Sequence, residues 1–169
     1  MSDPKNLIRT RALDWSKALH RRHPYNPNSE MRGVPMADIA GLRRLPVHIL
    51  RVPPGKESFV PHAHSVEEEW VFVVEGAGMV SLDREDHPIG PGDFIGFPTD
   101  GTIHQIRNTG SADLVYLTGG ERSPVEVADM PSLGKVAVFK NNAVTFYDKK
   151  ASEQISMDDW NKRAAITND

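Results

Sequence analysis

Short apolar stretches, each closed by glycine, proline or a charged pair, recur along most of the chain. Residues 46–52, 70–74, 79–82, 94–97, 102–108, 114–119, 136–139 and 144–147 are rich in Val, Ile, Leu, Phe and Tyr and read as strands. Between them stand turn signals: Pro53, Pro54 and Gly55, then Gly76, Ala77 and Gly78, a charged turn over residues 83–87, the reversal Gly90, Pro91, Gly92 and Asp93, and the turn from Pro98 to Gly101. Residues 120–134 read as a loop. About eight short strands with a turn every eight to twelve residues is the pattern of an all-β, antiparallel sandwich or barrel.

Before residue 46 the pattern changes. Ser2 and Asp3 can cap a helix, with Pro4 at its first position, and Leu7, Ile8, Ala12, Trp15 and Leu19 recur at three- and four-residue steps. This predicts an amphipathic helix over residues 4–21, packed on the outside of the core or serving as a lid or dimer contact. Pro24, Asn26, Pro27, Asn28, Gly33 and Pro35 make residues 23–36 an irregular connection, and residues 38–45 hold one helical turn. Near the other end, Ser156 and Asp159 form a capping box ahead of a short helix around Trp160, whose ring is expected to dock on the barrel before a frayed tail. The division is therefore an arm over residues 1–45, a barrel over 46–150 and a polar tail over 151–169.

Composition narrows the chemistry. The chain has 169 residues, with 20 Lys and Arg against 23 Asp and Glu for a net charge of −3, and no long basic run beyond Arg43-Arg44 and residues 20–23. A nucleic-acid or membrane partner is not expected. No apolar run reaches the length of a membrane span, so a soluble cytoplasmic protein is the expectation. With no cysteine, thiol nucleophiles and thiolate ligands are excluded, and any metal must be held by His and carboxylate.

The candidate chemistry lies between residues 55 and 76. His62 and His64 stand two apart, so on an extended strand both imidazoles face the same side. Glu69 shares its parity with Val71 and Val73 and can enter beside them, although Glu68 is its neighbour. Two neutral imidazoles and a carboxylate suit a divalent first-row metal. His104 begins the strand after a Pro/Gly turn and is the best candidate for a further ligand. His48 reads as a packed or surface residue off the metal, and His87 as solvated.

Gly55, His62, His64, Glu69 and Gly76 resemble the first cupin motif, G-x5-H-x-H-x3,4-E-x6-G, and Gly92, Pro98, Gly101, His104 and Asn108 resemble the second, G-x5-P-x-G-x2-H-x3-N. One extra residue separates Gly55 from His62, and another separates Pro98 from Gly101; both fall in turns. The resemblance covers residues 46–120. It implies a double-stranded β-helix of jelly-roll type with one metal ion, iron, manganese, nickel or zinc, bound by His62, His64, Glu69 and His104. Only Glu69 leaves six residues before Gly76, which puts Glu68 outside.

Such a site takes a small oxygen-rich molecule in the barrel, with Ile106, Phe97, Val73 and Tyr116 as expected wall residues and Tyr116 the one candidate for acid–base work. The resemblance implies a metal-dependent enzyme, an oxygenase ahead of an isomerase or decarboxylase, with a non-catalytic module that binds a sugar or organic acid as the alternative. It also implies a homodimer.

Overall fold

The computed structural model describes residues 4–164 and is built almost wholly of antiparallel strands. In chain order they are β1 (Leu19–Arg21), β2 (Met31–Val34), β3 (Val47–Val52), β4 (Ala63–His64), β5 (Glu69–Glu75), β6 (Gly78–Leu82), β7 (Glu85–Ile89), β8 (Phe94–Phe97), β9 (His104–Arg107), β10 (Leu114–Gly120), β11 (Val125–Met130), β12 (Lys135–Lys140) and β13 (Ala143–Asp148). Two α-helices accompany them, α1 (Met36–Ala40) and α2 (Met157–Ala164). None is long and apolar enough to cross a membrane.

One sheet has the order β1-β2-β3-β10-β5-β8. Facing it are β13-β12-β11-β4 and β7-β6-β9, which meet where the backbones of His62 and His104 bond each other, His62 N to His104 O at 3.1 Å and His104 N to His62 O at 2.8 Å. The two layers enclose a core of Val52, Val71, Val73, Val80, Phe97, Ile106, Leu114 and Tyr116. Alternation along the strands explains the filling: on β5, Glu69, Val71 and Val73 turn inward while Phe72 and Val74 stay partly exposed. Burying these side chains is the main driving force for closure.

The amphipathic helix expected over residues 4–21 is absent from that stretch, which holds two single 3-10 turns, Thr10–Ala12 and Trp15–Lys17, followed by β1. Asp14 takes hydrogen bonds from the Ser16 amide at 3.1 Å and hydroxyl at 2.6 Å, restarting the backbone in mid-stripe. Leu13, Trp15 and Ala18 then pack on an outer cluster around Val34, Ile49 and Val115. The expected cap at Ser2 and Asp3 lies outside the described residues, as does the tail beyond residue 164.

Three more strands were hidden in expected loops. β2 lies inside residues 23–36, where Gly33 admits the Leu50 side chain, 2.6 Å from where a Cβ would stand. β11 lies inside residues 120–134, with the acidic Glu126 on its buried face beside Ala128 and Met130. β7 occupies most of the charged turn, entered through Asp83 and Arg84 at φ 48° and 76°, the hand that matches strand twist. The expected capping box forms, the Ser156 hydroxyl accepting the Asp159 amide at 3.1 Å, but Trp160 is 56% exposed and does not dock.

Candidate metal centre

His62, His64, Glu69 and His104 come together from four neighbouring pieces of chain, their ligand atoms all within 4.8 Å of one another. His62 and His104 are fixed by the backbone bridge that joins the facing layers. β4 carries His64, and β5 delivers Glu69 from the opposite sheet. Glu68, one residue earlier, is exposed.

Each imidazole is oriented from behind. The Val60 carbonyl accepts from His62 Nδ1 at 2.8 Å and the Thr102 carbonyl from His104 Nδ1 at 3.2 Å, so the proton sits on Nδ1 and Nε2 is left bare. His64 Nδ1 lies 3.3 Å from Glu126 Oε1, while its Nε2 is 3.1 Å from Glu69 Oε2. The Thr118 hydroxyl donates to Glu69 Oε1 at 2.7 Å and leaves Oε2 facing the histidines. Phe97 stacks on the His104 ring at 3.8 Å between centroids and 9° between planes. Imidazole anchored through one nitrogen with the other exposed is how proteins present histidine to a metal.

Electrostatics agree with this arrangement. Burial, reinforced by His104, holds His62 down to about 4, so it is neutral at ordinary pH. Burial is also the largest influence on His64 and pulls it down, but Glu69 and Glu126 together outweigh it and raise the pKa. For Glu69, burial is again the first influence and would favour the acid; the imidazoles of His104 and His64 beside it and the hydrogen bond from Thr118 overcome it and keep the carboxylate ionised. His104 Nε2 is the test of whether a metal fits, because it is buried and has no hydrogen-bond partner. A buried nitrogen lone pair without a donor is costly in a folded interior, and a divalent ion among these three imidazoles and one carboxylate would satisfy it.

His62, Glu69 and His104 line a cavity of about 220 Å³. Of the expected wall residues, Phe97, Ile106 and Tyr116 line it, whereas Val73 is part of the core rather than the wall. Tyr116 is almost fully buried; burial, and then the charge of Glu69, push its hydroxyl well above the ordinary phenol, so it remains a donor. His48 also lines this cavity, outside the cluster of four, and is half-buried rather than on the open surface. Its even spacing from Leu50 and Val52 was the signal for an inward face. Arg21, Thr118 and Glu126 were missed as well, the first two for lack of any motif and the third because its strand was read as a loop. His87 is exposed, as expected.

The Cupin domain family profile matches residues 48–119. A candidate sugar phosphate isomerase from Acidithiobacillus ferrooxidans is similar over 90% of this chain and 97% of its own, with 33% identity and a TM-score of 0.84. A sugar phosphate isomerase of the cupin superfamily from Silicibacter pomeroyi is similar over 86% and 97%, with 28% identity and a TM-score of 0.73. The protein SchB of Streptomyces halstedii is 38% identical over 87 residues, 50% of this chain and 57% of its own length; the chain spans about half the length of the curated relatives it matches. The motif pair, the closed antiparallel barrel and similarity along nearly the whole of two such structures place this chain in the cupin superfamily.

Proposed function

We propose that the protein is a metal-dependent isomerase of a phosphorylated sugar. The observation that carries this reading is that one cavity is lined both by three of the four clustered residues, His62, Glu69 and His104, and by a further imidazole outside the cluster, His48, with no hydrogen-bond partner among the described residues. Burial first, tempered by Asp38, and then Arg21 and Arg122 hold His48 below its ordinary pKa, so it is a neutral base. Similarity over almost the full chain to one sugar phosphate isomerase and one candidate sugar phosphate isomerase supports the same assignment.

A divalent ion held by His62, His64, Glu69 and His104 would act as a Lewis acid on adjacent carbonyl and hydroxyl oxygens of the sugar. Aldose–ketose interconversion moves one proton between neighbouring carbons and one between their oxygens, and it consumes no second substrate. In this reading His48 removes the carbon-bound proton and returns it to the neighbouring carbon. Tyr116, held neutral by its burial, donates a hydrogen bond to a substrate oxygen. The Gln105 amide is committed to Glu57 at 3.0 Å and to the Phe59 carbonyl at 2.7 Å, so it shapes the wall rather than taking part in proton transfer. Since the charge of a sugar phosphate retains it inside cells, the cytoplasm is the matching compartment.

The test is proton NMR in heavy water with a panel of five- and six-carbon sugar phosphates, using the chain loaded in turn with iron, manganese, nickel or zinc. The expected result is interconversion with solvent deuterium entering at the reacting carbon, reduced on the order of 100-fold in His48→Asn while bound metal is unchanged. Four protein ligands leave about two positions on a six-coordinate ion, which is what supports the oxygenase reading. Oxygen uptake without isomerisation would move the assignment there, and thermal stabilisation by a sugar without turnover would make the protein a binding module.

A further inference from the structure

Arg21 is the one cavity residue that carries a full positive charge at neutral pH, and the way β1 is built explains how it gets there. β1 pairs with β2 in the register Leu19 to Gly33 and Arg21 to Met31. Side-chain alternation then sends Leu19 and Arg21 to one side and His20 to the other. On the outer side, His20 Nε2 meets Glu30 Oε1 at 3.1 Å and Arg22 Nη2 meets Glu30 Oε2 at 3.3 Å. That clamp fixes the strand's rotation. Leu19 and Arg21 consequently line the cavity shared by His62, Glu69 and His104. The Arg21 guanidinium makes no ion pair or hydrogen bond among the described residues, whereas Arg22, Arg51, Arg107, Arg122 and Arg163 all have carboxylate partners. Its charge reaches His48, where it opposes protonation.

We propose that Arg21 is the specificity-determining residue of this cavity, binding the phosphate of the sugar while the metal quartet and His48 hold its reacting end. This rests on the sugar-phosphate reading given above. The guanidinium fork matches two oxygens of a phosphomonoester, and a free fork facing a cavity has no structural duty that would make it unavailable. The cavity, at about 220 Å³, admits a small sugar phosphate but not a nucleotide. Arg21 acts on binding rather than on bond making, so its loss raises KM and leaves kcat nearly unchanged at alkaline pH, where His48 stays neutral without it.

The experiment is isothermal titration of the metal-loaded full chain with each member of the sugar phosphate panel and with the same sugars lacking phosphate. At least one phosphorylated member is expected to bind the wild type roughly tenfold or more tightly than it binds Arg21→Gln, with partial recovery in Arg21→Lys. Sugars without phosphate should bind all three proteins alike, and Arg163→Gln, whose side chain pairs with Glu153 and does not line the cavity, should match the wild type. Metal content and melting temperature serve as controls and should not move, since Arg21 is exposed and unpaired. Equal affinity of wild type and Arg21→Gln for every phosphorylated member, or no binding of any member, overturns the proposal. Arg21-dependent binding without turnover would uphold it while sinking the isomerase reading, and turnover with a KM indifferent to Arg21 would do the reverse.

Discussion

Glu126 has the most consequential side chain outside the ligand set. It is 6% exposed, and its carboxylate is fully engaged: Oε1 accepts from the Ser65 amide at 3.2 Å beside His64 Nδ1, and Oε2 accepts from the Glu67 amide at 2.7 Å. One carboxylate thereby fixes both the His64 ring and the turn that leads to Glu69. Replacing Glu126 by Gln keeps the size but removes the charge, and one of its two terminal atoms can no longer accept. Metal affinity is expected to fall by about 10- to 100-fold, read by competition with a chromogenic chelator, while the fold survives. Unchanged affinity would mean that His64 holds its orientation without this partner. The cluster of His62, His64, Glu69 and His104 was legible because histidine and glutamate at fixed steps along strands have few other reasons to coincide. Glu126 was not, because a buried acid on an apolar strand face breaks the pattern by which that strand would be found.

Among the elements, the long apolar runs over residues 70–74 and 114–119 were read correctly, since burial on the inner face and turn glycines at both ends point the same way. The N-terminal stripe was misread because helix periodicity is a weak preference, and the local bonds of Asp14 together with strand pairing at Leu19 override it. Gly76, which reverses the chain from β5 to β6, shows how tightly the elements are set. Its φ is +84°, and a Cβ there would stand 2.3 Å from the Asp113 carbonyl oxygen and 2.9 Å from Leu114 Cα. Gly134 also has positive φ, +62°, but nothing lies within 4 Å. Gly76→Ala is therefore expected to cost about 3 kcal/mol, and Gly134→Ala about 1 kcal/mol, the first lowering the melting temperature by roughly 6–12 °C. Equal losses in the two variants would show that backbone conformation alone, not the approach of Asp113, sets the requirement for glycine.

For the whole molecule, the architecture was readable from turn spacing and the paired motifs, but the extent of the barrel was not. β1 and β2 belong to the arm over residues 1–45 and yet extend the main sheet, so the arm supplies cavity wall and not merely a covering. At the other edge of that sheet, Phe94 is 66% exposed and stacks on Trp70 at 6.2 Å, beside the half-exposed Phe72 and Val74. An aromatic patch on a sheet edge of this kind suits a second copy of the chain. We expect sedimentation velocity to give a homodimer, and Phe94→Glu to give a monomer that keeps its metal. A monomeric wild type would remove that expectation.

The backbone bridge between His62 and His104 ties the chemistry to the mechanics of the barrel. Two residues of the candidate centre are also the stitch that closes one layer of the sandwich, so an ion seated there would resist the parting of the seam as well as its own departure. Escape of the ion, and exchange of the His62 and His104 amide protons with solvent, then share one gate: the rare opening of that seam, whose frequency sets the lifetime of both.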